Sequence, residues 1–229
     1  HRQMSIIRDI RVKQRLLPLS SAVTPPQHKP EMLYIGCIDA RLDPIDDIGI
    51  PKGKALIYRN IAALVHPSVD DKGIKEIDEA AVLASGEIPE GVSMGAALEF
   101  FVNHISVPPD GVKHIVISGH TDCGGIRACM NGLDPQRDRN LRWYLAPLKR
   151  VREKICADPA HDTHEKKLHA LEEASVRQSI ENLKSYDVVK KALAEGRVEL
   201  HGWVINTATQ RIAEMDETGV FRPMGEGKA

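Results

Sequence analysis

Apolar positions along this chain follow two rhythms. Over residues 4–17 they recur at helical spacing between charged side chains, which predicts an amphipathic arm. A Pro-rich stretch, SSAVTPPQHKP at 20–30, separates the arm from the rest. Beyond it, apolar runs shorten to strand length: MLYIG at 32–36, ALIYRN at 55–60, VKHIVISGH at 112–120 and RVELHGWVIN at 197–206. QRIAEMD, at 210–216, reads as a fifth strand at an edge. The unbroken apolar run in HIVIS suits a parallel strand covered on both faces. Between the strands lie helical stretches: SMGAALEFFVNHIS at 93–106 with Ser93 as its cap, GGIRACMNG at 124–132, then 140–156, 164–184 and 186–195. Residues 62–92 carry loop signals, with a short helix at 74–84. Strands alternating with helices predict an α/β fold in one domain. Its central, mostly parallel sheet has four to five strands flanked by helices, with a helical arm and linker at 1–27 and the body at 28–229.

Composition narrows the function classes. Hydrophobic content of 42% and charged content of 28% are those of an ordinary globular chain, which at 229 residues buries a core without staples. A net charge of −1 and 4% aromatic residues speak against a nucleic-acid partner, so KRVREK at 149–154 reads as a solvated helix face. No apolar run reaches the roughly 18 residues of a membrane span. Four cysteines without a C-x-x-C pair read as reduced thiols, and hence a cytoplasmic protein. Cys129 and Cys156 are expected to be buried and unpaired. The first residues lack an initiator Met, which suggests truncation around His1 to Gln3, with an organelle-targeting remnant as the other reading.

The candidate chemistry sits at two strand ends. MLYIGCIDAR runs from an apolar strand into Cys37, Asp39 and Arg41, and i, i+2, i+4 spacing in an extended segment points all three to one side. Such a cluster is costly inside a protein unless something binds there. GHTDCGG, at 119–125, places His120 and Cys123 where another strand meets a helix. Open α/β sheets bind ligands at such carboxyl ends. Cys37, His120 and Cys123 together make a Cys₂His set, which zinc accepts while keeping a fourth position open. Asp39 could fill that position or stand beside it, paired with Arg41. Spacing alone leaves separately buried cysteines equally open. His161, His164 and His169 fall in a charged, solvated segment, Trp203 reads as core, and His104 and His201 as structural.

CIDAR and GHTDCGG together resemble the β-class carbonic anhydrases, whose pattern is Cys-x-Asp-Ser/Ala-Arg followed by His-x-x-Cys-Gly. YRNIA at 58–62, GAALEF at 95–100, EEASVRQSIENL at 172–183 and LHGW at 200–203 extend the likeness over residues 28–215. The resemblance implies a lyase that hydrates carbon dioxide reversibly to bicarbonate and a proton. It makes Cys37, His120 and Cys123 the zinc ligands, and Asp39 and Arg41 a catalytic dyad, with Asp39 on zinc in a closed form. The pocket would comprise Leu56, Ile61, Phe100 and Gly124. A substrate-binding Gln, given across a dimer interface, aligns with His28, beside Gln27. A homodimer or dimer of dimers is implied, without nucleic acid or membrane. Some members bind bicarbonate at a second pocket of Trp, Arg and Tyr; those positions are Tyr34, Arg59 and Ile205 here. The same ligands would serve a carbonyl sulfide or carbon disulfide hydrolase, or a closed, non-catalytic zinc site.

Overall fold

The computed structural model describes residues 6–17, 27–68, 79–86 and 91–225. Six strands form one sheet, β1 (Met32–Cys37), β2 (Ala55–Asn60), β3 (Lys113–His120), β4 (Val198–Ile205), β5 (Ile212–Met215) and β6 (Phe221–Pro223), in the order β2-β1-β3-β4-β5-β6. The first four are parallel; β5 and β6 extend the edge antiparallel. Four strands and the edge strand are where the apolar runs place them. β6, three residues long, carries too little pattern to be expected.

The helices are α1 (Ile6–Leu16), α2 (Glu79–Ser85), α3 (Val92–Phe100), α4 (Gly124–Asn131), α5 (Arg139–Leu145), α6 (Lys149–Ala157), α7 (His164–Leu183) and α8 (Asp187–Ala194). The stretch expected as one helix over 140–156 is two, separated by a 3-10 turn at Ala146–Leu148, because Pro147 brings no amide donor to the helical ladder. Ser93 is not the cap of α3. Gly91, at φ 76°, precedes the first turn, and the Ser93 hydroxyl lies 3.1 Å from the Tyr58 hydroxyl. Thr163 caps α7, its hydroxyl accepting the Lys166 amide at 3.1 Å. Of the expected helix at 74–84, residues 74–78 lie outside the described ones, as do residues 4–5 of the arm and 18–26 of the linker.

The apolar run of β3 divides between two layers. Ile115 and Ile117 join Leu33 and Ile35 of β1 under α7 and α8, where Val176, Ile180 and Val189 close the core. Val116 faces the other way, against Tyr34, Ile50 and Trp203. A side chain at Gly119 would place its Cβ 2.7 Å from the Val176 methyl, so the glycine is what lets α7 pack this close to β3. Cys129 is buried as expected; Cys156 is exposed, because the neighbouring Ile155 is the α6 residue turned into the core, and the Cys156 Sγ reaches only the Met130 sulfur, at 3.8 Å. α1 buries none of its residues and leaves Ile6, Ile10 and Leu16 exposed.

This topology fixes where a site can form. From β1 the chain moves one way to β2 and then returns to place β3 on the other side. The carboxyl ends of β1 and β3 therefore flank a switch point, the usual crevice of an open α/β sheet.

Candidate metal centre

β1 ends on Cys37 and β3 ends on His120, so adjacent parallel strands deliver both side chains to the same edge. Asp122, at φ 58°, turns the chain sharply after β3 and brings Cys123 back to the start of α4. Asp tolerates this left-handed conformation better than most residues. The next helix residues are Gly124 and Gly125. A Cβ at Gly125 would sit 2.7 Å from an Ile61 methyl, so glycine permits the close seating of α4 on the turn after β2. Cys37, His120 and Cys123 are all buried, and their ligating atoms lie within 4.8 Å of one another. The two sulfurs are 4.0 Å apart.

Two features fit this group to a metal rather than to separately buried thiols. His120 Nδ1 lies 2.8 Å from the Thr121 carbonyl, to which it donates, and that leaves Nε2 as a lone-pair acceptor. Nε2 is buried and has no hydrogen-bond partner among the described residues. A cation beside the sulfurs would satisfy it. The contact with the Cys123 sulfur lowers the Cys37 thiol below the usual cysteine range despite its burial, so of the two it is the readier to ionise. Cys123 is pushed up by the same contact and by burial. Two sulfurs and an imidazole form a donor set that suits zinc. The buried Glu172 backs the site, 3.4 Å from the Cys123 amide.

Asp39 and Arg41 join the cluster by a route the extended pattern did not foresee. β1 stops at Cys37, and the chain turns: the Asp39 carboxylate accepts the Arg41 amide at 2.9 Å, an Asx turn. The guanidinium then grips the same carboxylate in bidentate fashion, Nε to Oδ1 at 2.9 Å and Nη2 to Oδ2 at 2.7 Å. Those bonds to Arg41 hold the Asp39 carboxyl well below the usual carboxylate range. Oδ2 stands 3.8 Å from His120 Nε2.

Two sets of contacts were not legible: Asp122 was not singled out at all, and Arg59 was expected only at a second, anion-binding pocket. Asp122 receives Arg41 Nη1 at 2.7 Å on its carboxylate and Nη2 at 2.9 Å on its carbonyl, and also pairs with Arg127. The chain distance of 81 residues hides that partnership. Arg59 gives Nε to the Cys37 carbonyl at 2.7 Å, and Nη2 to those of Asp39 and Leu42 at 2.7 and 3.0 Å. It staples the whole Cys37–Leu42 turn.

The pocket positions divide. Ile61 packs in the cluster that contains Cys37 and Cys123, and Gly124 opens α4 beside them. Leu56 pairs with Leu33, four residues back along the strand from the Cys37–Asn60 pair, or about 13 Å away. Phe100 is half-exposed and stacks near His104. Gln27 and His28 are exposed at the amino-terminal entry to β1, beside Gly53 and at the opposite end from Cys37.

Comparison with known proteins agrees with this arrangement. A family model described as carbonic anhydrase matches residues 32–212, from the first residue of β1 into β5. The chain belongs to the β-carbonic anhydrase family. Carbonic anhydrase 1 of Escherichia coli O157:H7 is 32% identical over 86% of this chain and 80% of its own length. Beta carbonic anhydrase 5, chloroplastic, of Arabidopsis thaliana is 29% identical over 83% of this chain, which spans only 60% of that relative. Among solved structures, one of two tetrameric β-carbonic anhydrases from Sordaria macrospora superposes with a TM-score of 0.61 at 25% identity, covering 88% of this chain and 84% of its own. β-Carbonic anhydrases are zinc enzymes, and the Cys37–His120–Cys123 group is consistent with that metal. Among the described residues no helix is long and apolar enough to cross a membrane.

Proposed function

We propose that this β-carbonic anhydrase hydrates carbon dioxide reversibly to bicarbonate and a proton, with zinc held by Cys37, His120 and Cys123. The observation that carries this reading is the unpartnered, buried His120 Nε2 beside two sulfurs, with an ionised carboxylate 3.8 Å away. Zinc there would act as a Lewis acid, lowering the pKa of a water to about 7.

The chain's own residues do the rest. Cys37 and Cys123 would supply the negative charge that holds the cation, and the Thr121 carbonyl fixes His120 in the tautomer that could ligate it. Asp39 is kept ionised by Arg41, yet Oδ2 retains acceptor capacity toward the site. It accepts a hydrogen bond from the attacking water and so orients the lone pair toward the carbon. Arg41, anchored in turn on Asp122, would hold Asp39 back from a metal in the site and so favour an open site over a closed, non-catalytic one. Ile61 and the glycine-lined start of α4 offer the apolar carbon dioxide a dry wall. Gln27, His28 and Phe100 are exposed in the single chain, which supports a second copy bringing them to the pocket. Stopped-flow rates with carbon dioxide and with carbonyl sulfide, measured side by side, test the reading. Turnover of carbonyl sulfide alone would reassign the substrate.

Two further results are expected. The exposed apolar stripe of α1 supports a dimer or dimer of dimers. Light scattering should show at least a dimer, and an active monomer would contradict the shared pocket. Bicarbonate should not inhibit cooperatively. Ile205 is fully buried and has no hydroxyl, and Arg59 spends Nε and Nη2 on backbone carbonyls. An anion placed there would lack partners, at a cost of about 1–3 kcal/mol, or one to two decades in affinity. Steep inhibition at pH 8 and low millimolar bicarbonate would refute this.

A further inference from the structure

A second group of metal-type donors lies on the amino-terminal half of β3 and β4, away from the carboxyl-end site. His114 of β3 stands opposite Glu199 of β4 in the parallel register, and His201 follows Glu199 by two residues on the same side of its strand. His114 Nδ1 is 3.1 Å from His201 Nε2, and Glu199 Oε2 is 3.6 Å from the first and 3.8 Å from the second. A triangle with those sides has its centre about 2.0 Å from each corner, the distance at which imidazole nitrogen and carboxylate oxygen bind zinc.

The orientation of His201 is set from behind. Its Nδ1 is 3.1 Å from Glu214 Oε1, which also accepts Trp203 Nε1–H at 3.2 Å. The carboxylate makes Nδ1 the protonated nitrogen and leaves the Nε2 lone pair directed into the group, an outer-shell arrangement common to metal-ligating histidines. Trp203 in turn is anchored in the layer of Tyr34 and Val116, so Glu214 and His201 are held by a packed strand rather than a loop. His201 was expected to be merely structural, and a His114–His201 hydrogen bond would satisfy it as such. Glu199 is what that reading leaves unexplained. It adds an oxygen donor at metal-site distance from both nitrogens.

We propose that His114, Glu199 and His201 form a second, accessible site for a divalent transition cation, distinct from the catalytic zinc. Two imidazoles and a carboxylate suit Zn²⁺, Ni²⁺ or Cu²⁺ rather than Mg²⁺ or Ca²⁺. The site is partly exposed, His201 by 27%, so its metal exchanges with solution while the buried one is retained.

Equilibrium dialysis of the zinc-loaded full chain against micromolar ZnCl₂ tests this. Wild type should hold two zinc ions per chain, falling to one on washing without added metal. His201→Ala and, independently, the surface variant Glu199→Gln should each reduce the dialysis value to one while carbon dioxide hydration stays within about twofold of wild type. A wild-type value of one, or a second ion that persists in both variants, would overturn the proposal.

Discussion

Cys123→Ala should strip the chain of its tightly held zinc and lower carbon dioxide hydration by more than about a thousandfold. Enzymes of ordinary efficiency accelerate their reactions a millionfold or more, and here that gain depends on the metal. Cys123 is one of three donors, and its loss leaves one sulfur and one imidazole, too few to retain zinc against dilution. Metal content and stopped-flow rate on one sample, with circular dichroism to show that the fold survives, decide it. Full zinc occupancy and full rate in the variant would exclude Cys123 as a ligand.

Asp39→Ala and Arg41→Ala should each keep the metal and cut turnover by roughly two to four decades, the range for loss of an acid–base partner. Neither residue belongs to the three-donor group, so zinc content should not change. The pH profile separates the two roles. With Arg41 in place, the bidentate bonds hold Asp39 ionised below the usual carboxylate range. No acid limb from Asp39 should then appear above about pH 4, where an unperturbed Asp titrates. In Arg41→Ala the folded-state pKa rises toward its ordinary value, and the acid limb moves up with it. Arg41→Lys restores the charge but not the fork, and should recover only part of the rate. Wild-type turnover in both alanine variants would remove the dyad from the reaction.

The parts legible in the sequence are those written in short-range pattern. CIDAR places a thiol, an acid and a guanidinium within five residues, GHTDCGG places an imidazole and a thiol within four, and both follow apolar runs that end as strands. What escaped is written in backbone geometry or long separations. Arg59 acts on three carbonyl oxygens, and every residue has one, so its partners leave no mark in side-chain identity. Asp122 is the partner of Arg41 only because the turn after β3 adopts a positive φ. The extended spacing of Cys37, Asp39 and Arg41 grouped residues that do lie together, but for an incomplete reason, since an Asx turn rather than a continued strand brings them there. Pro147 did break its helix, and an apolar pattern that runs through the proline concealed the break.

Removal and return of zinc on a single preparation is the decisive measurement. The purified chain is assayed for carbon dioxide hydration by stopped flow, stripped with a strong chelator, assayed again, and reloaded with one equivalent of zinc. The rate should vanish with the metal and return with it in wild type, and fail to return in Cys123→Ala. A stripped chain that hydrates carbon dioxide at its original rate, or a reloaded wild-type chain that binds zinc and hydrates none, would contradict a zinc-dependent carbonic anhydrase built on Cys37, His120 and Cys123.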